Sequence, residues 1–268
     1  MDQEKISELV GFAQGVLEQA GDIALSYFRA PLSIDNKNSG AEFDPVTKAD
    51  REVEAFIRTR LGEKTPEFGI TGEEQGIAEP NGPGNAEIHW VIDPIDGTRA
   101  FISGFPTWGI LLGLTEGERC LAGLMHQPFT GETFLSDGRS SWMTLNQQRT
   151  ELRTRPTESL DQAILYCTDP DMFTDTAAIN AFKRVAAQAR LRRFGGDCYS
   201  YCMLASGQVD LVVEGDLQPY DIIALIPIIE AAGGVVTNWQ GEPANAGGLV
   251  VAAATKSLHT QVLKLLQG

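Results

Sequence analysis

The chain has 268 residues, of which 43% are hydrophobic and 21% charged, enough to bury a sizeable core in one large unit or two closely packed halves. A formal net charge of -15 sets up a negative field that repels nucleic-acid backbones and anionic membrane surfaces, so neither is expected as a partner. The polar N-terminal residues 1–5 carry no signal-peptide pattern. The longest apolar stretch, 222–232, is broken by Pro227 and Glu230 and falls short of the roughly 20 residues that cross a bilayer. A cytoplasmic protein is the expectation, and Cys120, Cys167, Cys198 and Cys202, which form no CxxC pair, are read as reduced, buried thiols.

Along the chain, Ile6, Leu9, Val10, Ala13, Val16, Leu17, Ala20, Ile23, Ala24, Tyr27 and Phe28 recur at helical spacing until Pro31 closes the run, which predicts a long amphipathic helix. A second helix is predicted over 50–61, then a short strand over 68–71 that runs into Gly72-Glu73-Glu74. The Pro-, Gly- and Asn-rich residues 78–86 read as a surface loop. The apolar strand 89–92 then delivers Asp93-Pro94-Ile95-Asp96-Gly97-Thr98. Strands over 108–114 and 121–126 pair across Glu116-Gly117-Glu118, and further strand-like segments reach Leu145. Beyond residue 150 the pattern alternates: strand 164–167, helices 175–189 and 197–206, strand 210–213, a helix from Asp221, strands 235–237 and 249–253, and a terminal helix to Leu266. The expectation is an α+β first half over 1–148 and an α/β second half over 149–268. No repeat or flexible linker separates them, so they are read as one unit.

Asp93 and Asp96 lie three residues apart at the end of an apolar strand, where Pro94 stiffens the chain and a turn would bring both carboxylates to one point. Magnesium prefers carboxylate, carbonyl and water oxygens, and such a pair suits it. Gly97 permits a tight turn, and backbone N–H groups from Gly97-Thr98 onward would face a phosphate. Asp-Pro and Asp-Gly are also ordinary turn chemistry, but paired acids at a strand end are costly unless they bind something. His89, His126 and His259 lack metal-ligand spacing, and no Ser-His-Asp or Cys-His arrangement emerges.

With Gly72-Glu73-Glu74, the Asp93 to Thr98 segment, Tyr220-Asp221 and Glu230-Ala231-Ala232-Gly233-Gly234 in this order, the chain resembles the inositol monophosphatase superfamily over nearly its whole length. The resemblance implies a layered αβαβα sandwich and a magnesium-dependent, lithium-sensitive phosphatase, homodimeric, with two or three ions per site. It implies that Glu73, Asp93, the Ile95 carbonyl, Asp96 and Asp221 are the metal ligands. Asp50, within Val46-Thr47-Lys48-Ala49-Asp50, and Thr98 would orient and activate the water that attacks phosphorus directly, with Glu73 assisting and no phosphoenzyme formed. The bland alternatives are that Asp50 and Asp221 only cap helices. Tyr220 where the family usually has Trp, Ile222-Ile223 after the ligand Asp221, and a Pro227 expected to kink that helix depart from the family pattern.

The run Arg192-Arg193-Phe194-Gly195-Gly196-Asp197-Cys198-Tyr199, with Leu217-Gln218-Pro219-Tyr220-Asp221 and Arg99-Ala100-Phe101, looks like the histidinol-phosphate phosphatase branch, which serves histidine biosynthesis. That resemblance makes Arg192, Asp197 and Glu214, with Gly97 and Thr98, the substrate wall. Two acids there suit a leaving group that carries an ammonium and an imidazole. The plain alternatives are that Asp197 caps a helix, Glu214 ends an edge strand, and Arg192 or Arg193 forms structural ion pairs. Two other functions stay open: a phosphatase for inositol phosphates or other sugar phosphates, and a silent metal-binding regulatory protein.

Overall fold

The first helix, α1 (Gln3–Tyr27), begins at Asp2, whose side chain accepts from the Lys5 amide at 2.9 Å. Pro31, expected to close the run, lies outside the described residues, which are 1–30, 34–36, 45–80 and 87–268 of this computed structural model. The two short strands β1 (Ile34–Asn36) and β2 (Pro45–Thr47) pair antiparallel and lead into α2 (Lys48–Lys64). The predicted loop over 78–86 lies mostly outside the described residues.

A first sheet follows from β3 (Gly69–Gly72), β4 (Gly76–Ala78), β5 (Ile88–Asp96), β6 (Gly109–Glu116), β7 (Arg119–Gln127), β8 (Glu132–Ser136), β9 (Ser141–Leu145) and β10 (Gln148–Glu151), with α3 (Thr98–Ser103) inserted after β5. Its order is β10-β9-β8-β7-β6-β5-β3-β4, antiparallel except where β3 runs parallel to β5. That parallel pair sets Glu73 and Asp93 at neighbouring strand ends, with Gly72 in register with Ile92. The second half supplies β11 (Ile164–Cys167), α4 (Thr176–Ala186), β12 (Leu191–Phe194), α5 (Asp197–Ala205), β13 (Leu211–Leu217), α6 (Pro219–Ile222), α7 (Leu225–Ala231), β14 (Val235–Asn238), β15 (Gly248–Ala253) and α8 (Lys256–Gln267). Its sheet runs β12-β11-β13-β15-β14.

The apolar clusters fix the layering. Ile110, Leu112 and Leu114 of β6 pack with α1 and α2, while Leu111 between them faces the opposite cluster with α5 and α7. In β13, Val212 joins that same middle cluster and Leu211 and Val213 join a third with α4 and α8. Successive side chains on a strand point to opposite faces, so a sheet covered on both sides reads as an unbroken apolar run. Helices, sheet, helices, sheet and helices thus stack as an αβαβα sandwich.

The helix expected from Asp221 is two helices. Pro227 therefore falls in the first turn of α7, where its missing N–H costs no hydrogen bond, and no kink of a continuous helix results. Close approach of this segment to the first sheet depends on small residues: a Cβ at Gly113 would meet Ile223 at 2.6 Å, and one at Gly123 would run into the carbonyl of Ala224. That contact seats Asp221 over the strand carrying Asp93.

Candidate metal and phosphate site

One carboxylate oxygen from each of Asp93, Asp96 and Asp221 lies within 4.8 Å of the others, though the third residue is more than a hundred positions downstream. Each acid is held by local chemistry. The Asp93 carboxylate accepts from the Ile95 amide at 3.0 Å, closing the turn around Pro94. Thr98 donates its hydroxyl to the Ile95 carbonyl at 3.1 Å. Asp96 accepts from the Cys198 amide at 2.7 Å, a bond between the two sheets' territories. Asp221 accepts from the Gln218 amide at 2.7 Å as the third residue of a capping box, so it shapes its helix start while facing the cluster.

Glu73 joins this group: its amide bonds the Ile92 carbonyl at 3.2 Å, and it shares a side-chain hydrogen bond with Asp93. Burial pushes Asp93 well above the usual carboxylate range, and the charges of Glu73, Asp96 and Asp221 push the same way. Burial and the charges of Asp221 and Asp197 likewise raise Asp96, against the opposing bond from Cys198. Crowded carboxylates disfavour one another's charge, and a cation relieves that directly. The donors are all oxygens, which fits a hard divalent ion. Asp50 is buried and accepts from the Thr47 hydroxyl at 2.6 Å and the Thr47 amide at 2.8 Å, so it is the inner member of a capping box whose cap is Thr47. β2, which ends at Thr47, packs beside α3, which starts at Thr98.

Gly97 adopts φ +80, and a Cβ there would meet the Asp197 side chain at 2.9 Å. Both the turn and the close approach demand glycine. Asp197 does not cap α5. Gly196 does, and Asp197 follows it at φ 43, a left-handed conformation uncommon outside glycine. Its carboxylate accepts from the Thr107 hydroxyl at 2.8 Å, and its amide donates to the Thr168 hydroxyl at 3.1 Å. Burial raises its pKa, against the Thr107 bond and the Arg99 charge.

Glu214 lies in the inner strand β13, not at a sheet edge. It accepts from the Thr168 hydroxyl at 2.5 Å, the Thr168 amide at 2.9 Å and the Tyr201 hydroxyl at 3.1 Å. Burial pushes it up to about 7. Asp96, Asp197, Glu214 and Asp221 line one cavity of about 80 Å³. Through Thr168 and Asp197 it adjoins a cleft of about 1040 Å³, whose walls include Arg99, Tyr166, Arg193 and Phe194.

Arg192 does not reach these walls. It sits on the exposed edge strand β12 and lines neither space, whereas Leu191, Arg193 and Phe194 of the same strand line the cleft. Thr107, Thr168 and Tyr201, which hold the two acids, were not picked out from the sequence. Hydroxyl residues scattered over 107–201 carry no spacing signal, and only the fold brings them together.

His126 bonds Thr133 at 2.9 Å and His259 bonds Thr237 at 2.8 Å, away from the cluster. The four cysteines are free thiols, and burial raises Cys120 to about 12. Among the described residues, no helix is long and apolar enough to cross a membrane.

The inositol monophosphatase family model matches residues 5–268. The chain belongs to the inositol monophosphatase family. Members of this family act as phosphatases on phosphate monoesters and depend on magnesium, in keeping with the Asp93, Asp96 and Asp221 cluster. Similar curated proteins include the chloroplastic bifunctional phosphatase IMPL2 of Arabidopsis thaliana, 34% identical over all of this chain and 77% of that protein. A histidinol-phosphatase of Chlorobaculum parvum is 31% identical over 92% of both chains. Among solved structures, an inositol monophosphatase from Zymomonas mobilis superposes with a TM-score of 0.84 at 37% identity, covering 98% of each chain. The αβαβα fold is therefore the family's.

Proposed function

We propose that this family member hydrolyses histidinol phosphate to histidinol and phosphate, with magnesium held by Glu73, Asp93, the Ile95 carbonyl, Asp96 and Asp221. The ions would supply positive charge to the phosphate and lower the pKa of the attacking water. Asp50 and Thr98 orient that water and accept its proton, and backbone N–H groups at Gly97 and Thr98 hold the phosphate oxygens. The observation that carries the choice of ester is the shared cavity, which Asp197 and Glu214 line together with Asp96 and Asp221. An ester bound there by its phosphate would present its leaving group to the buried Glu214 and the half-buried Asp197, which are already aimed by Thr107, Thr168 and Tyr201. A cationic group completes those acids, while a neutral polyol leaves them uncompensated. Histidinol-phosphatases similar over more than nine-tenths of this chain support the same reading.

Phosphate release from histidinol phosphate, inositol monophosphate and fructose 1,6-bisphosphate in magnesium tests it. Histidinol phosphate should lead in kcat/KM by on the order of 100-fold, since buried polar groups discriminate strongly against an unmatched partner. Faster hydrolysis of either sugar-type ester overturns the assignment. One observation favours that second reading: the 1040 Å³ cleft beside Asp197 has room for a larger leaving group. Magnesium binding with no turnover of any of the three would instead support a silent regulatory protein. A homodimer and lithium-sensitive turnover accompany the proposed activity.

A further inference from the structure

α2 carries a buried charged stripe that the catalytic reading does not use beyond its first member. Asp50, Glu54 and Arg58 succeed one another at four-residue intervals and so lie on one helix face. Glu54 is completely buried, and Arg58 is only 12% exposed at the side chain. A buried carboxylate is retained only when its lone pairs are filled. Those of Glu54 are filled by the turn that follows Glu73: Oε2 accepts from the Glu74 amide at 2.7 Å and Oε1 from the Gln75 amide at 3.0 Å. The Arg58 Nε donates to the same Oε1 at 2.7 Å, and its Nη2 donates to the Gly76 carbonyl. Gly72 completes the fit, since a Cβ there would lie 2.5 Å from Glu54 Oε1. The backbone that follows Glu73 is thus gripped by one ion pair on α2, and Gly72 before it packs directly against Glu54.

We infer that Glu54 and Arg58 form a positioning clamp that fixes the reach of Glu73 toward the metal, while the same helix presents Asp50 one turn earlier. The inference rests on Glu73 being a ligand, as proposed above. A glutamate on the three-residue turn between β3 and β4 has several rotamers, and locking the turn's backbone narrows its reach before the ion binds. Groups that orient metal ligands typically change affinity by 10–100-fold when replaced.

The test is calorimetric titration of the full chain with magnesium in the absence of substrate, for the wild type, Glu54→Gln, Glu73→Gln and the double variant. Glu54→Gln keeps the side-chain shape but loses one acceptor and the charge opposite Arg58, and should weaken magnesium binding by about 10–100-fold. In the Glu73→Gln background the same change should cost less than about twofold, because the clamp acts only through Glu73. Amide exchange at Glu74 and Gln75 should accelerate in Glu54→Gln. If Glu54→Gln does not fold, Arg58→Lys, which keeps the charge and loses the fork to Gly76, should show the same dependence on Glu73. Magnesium affinity lost in Glu73→Gln but kept in Glu54→Gln overturns the clamp alone, as does an equal loss in both backgrounds. Unchanged affinity in Glu73→Gln overturns the metal site, and the clamp with it.

Discussion

Glu214→Gln separates the cost of burying a charge from the benefit of recognising one. Glu214 is fully enclosed, and burial raises its pKa from 4.5 to about 7 despite three donated hydrogen bonds. The fold therefore holds the proton more tightly than the unfolded chain does. Between those two values the unfolded chain loses the proton while the folded chain keeps it, so stability falls as pH rises and levels off above 7. A gap of about 2.5 at about 1.36 kcal/mol each makes the full penalty on the order of 3 kcal/mol, most of it developed between pH 5 and pH 8. Glutamine fills the same space and does not ionise, so it escapes that penalty. Urea unfolding of both proteins in chelator at pH 5 and pH 8 gives the comparison, and taking the difference between them removes the contributions of Asp93 and Asp96, leaving Glu214 and its coupling to Asp197. The variant should gain on the wild type by roughly 2–3 kcal/mol between the two pH values while losing kcat/KM for histidinol phosphate. A stability difference independent of pH would refute the argument that the buried acid is retained against a folding cost.

Asp93→Asn removes the most crowded charge of the cluster. It should abolish measurable phosphate release while raising the melting temperature of the metal-free protein, both readable from one preparation, and near-normal turnover would remove the proposed mechanism. Gly97→Ala places a Cβ at φ +80 and against Asp197. The left-handed backbone alone should cost about 1–2 kcal/mol in urea unfolding, and the displaced Asp197 should raise KM for the cationic ester more than for inositol phosphate.

The parts of the fold most legible in the sequence are those buried on both sides. Ile110 to Leu114 and Leu211 to Val213 read as strands because each face meets a different cluster, and α1 reads as a helix from one apolar stripe. Legibility fails where parity or distance decides. Leu191–Phe194 is a short edge strand whose apolar residues Leu191 and Phe194 are themselves exposed and mark no buried face, and Arg193 rather than the expected Arg192 lines the cleft. Glu54 and Arg58 look in sequence like an ordinary solvated pair one helical turn apart, and only the approach of Gly72 reveals that they are buried. Asp93 and Asp96 announce themselves by following an apolar strand, whereas the Cys198 amide that holds Asp96 is 102 residues away and carries no side-chain signal.

The acids proposed to hold the ions sit on the turn after β3, on β5 and on α6, while Asp197 and Glu214 sit on α5 and β13. The proposed site thus draws on both halves of the chain, Glu73, Asp93 and Asp96 from the first and Asp197, Glu214 and Asp221 from the second, which meet at Gly97 and the Asp96–Cys198 bond. On the proposed roles, exchanging Asp197 on α5 or Glu214 on β13 leaves Glu73, Asp93 and Asp96 untouched, a practical route to new ester preferences from one scaffold.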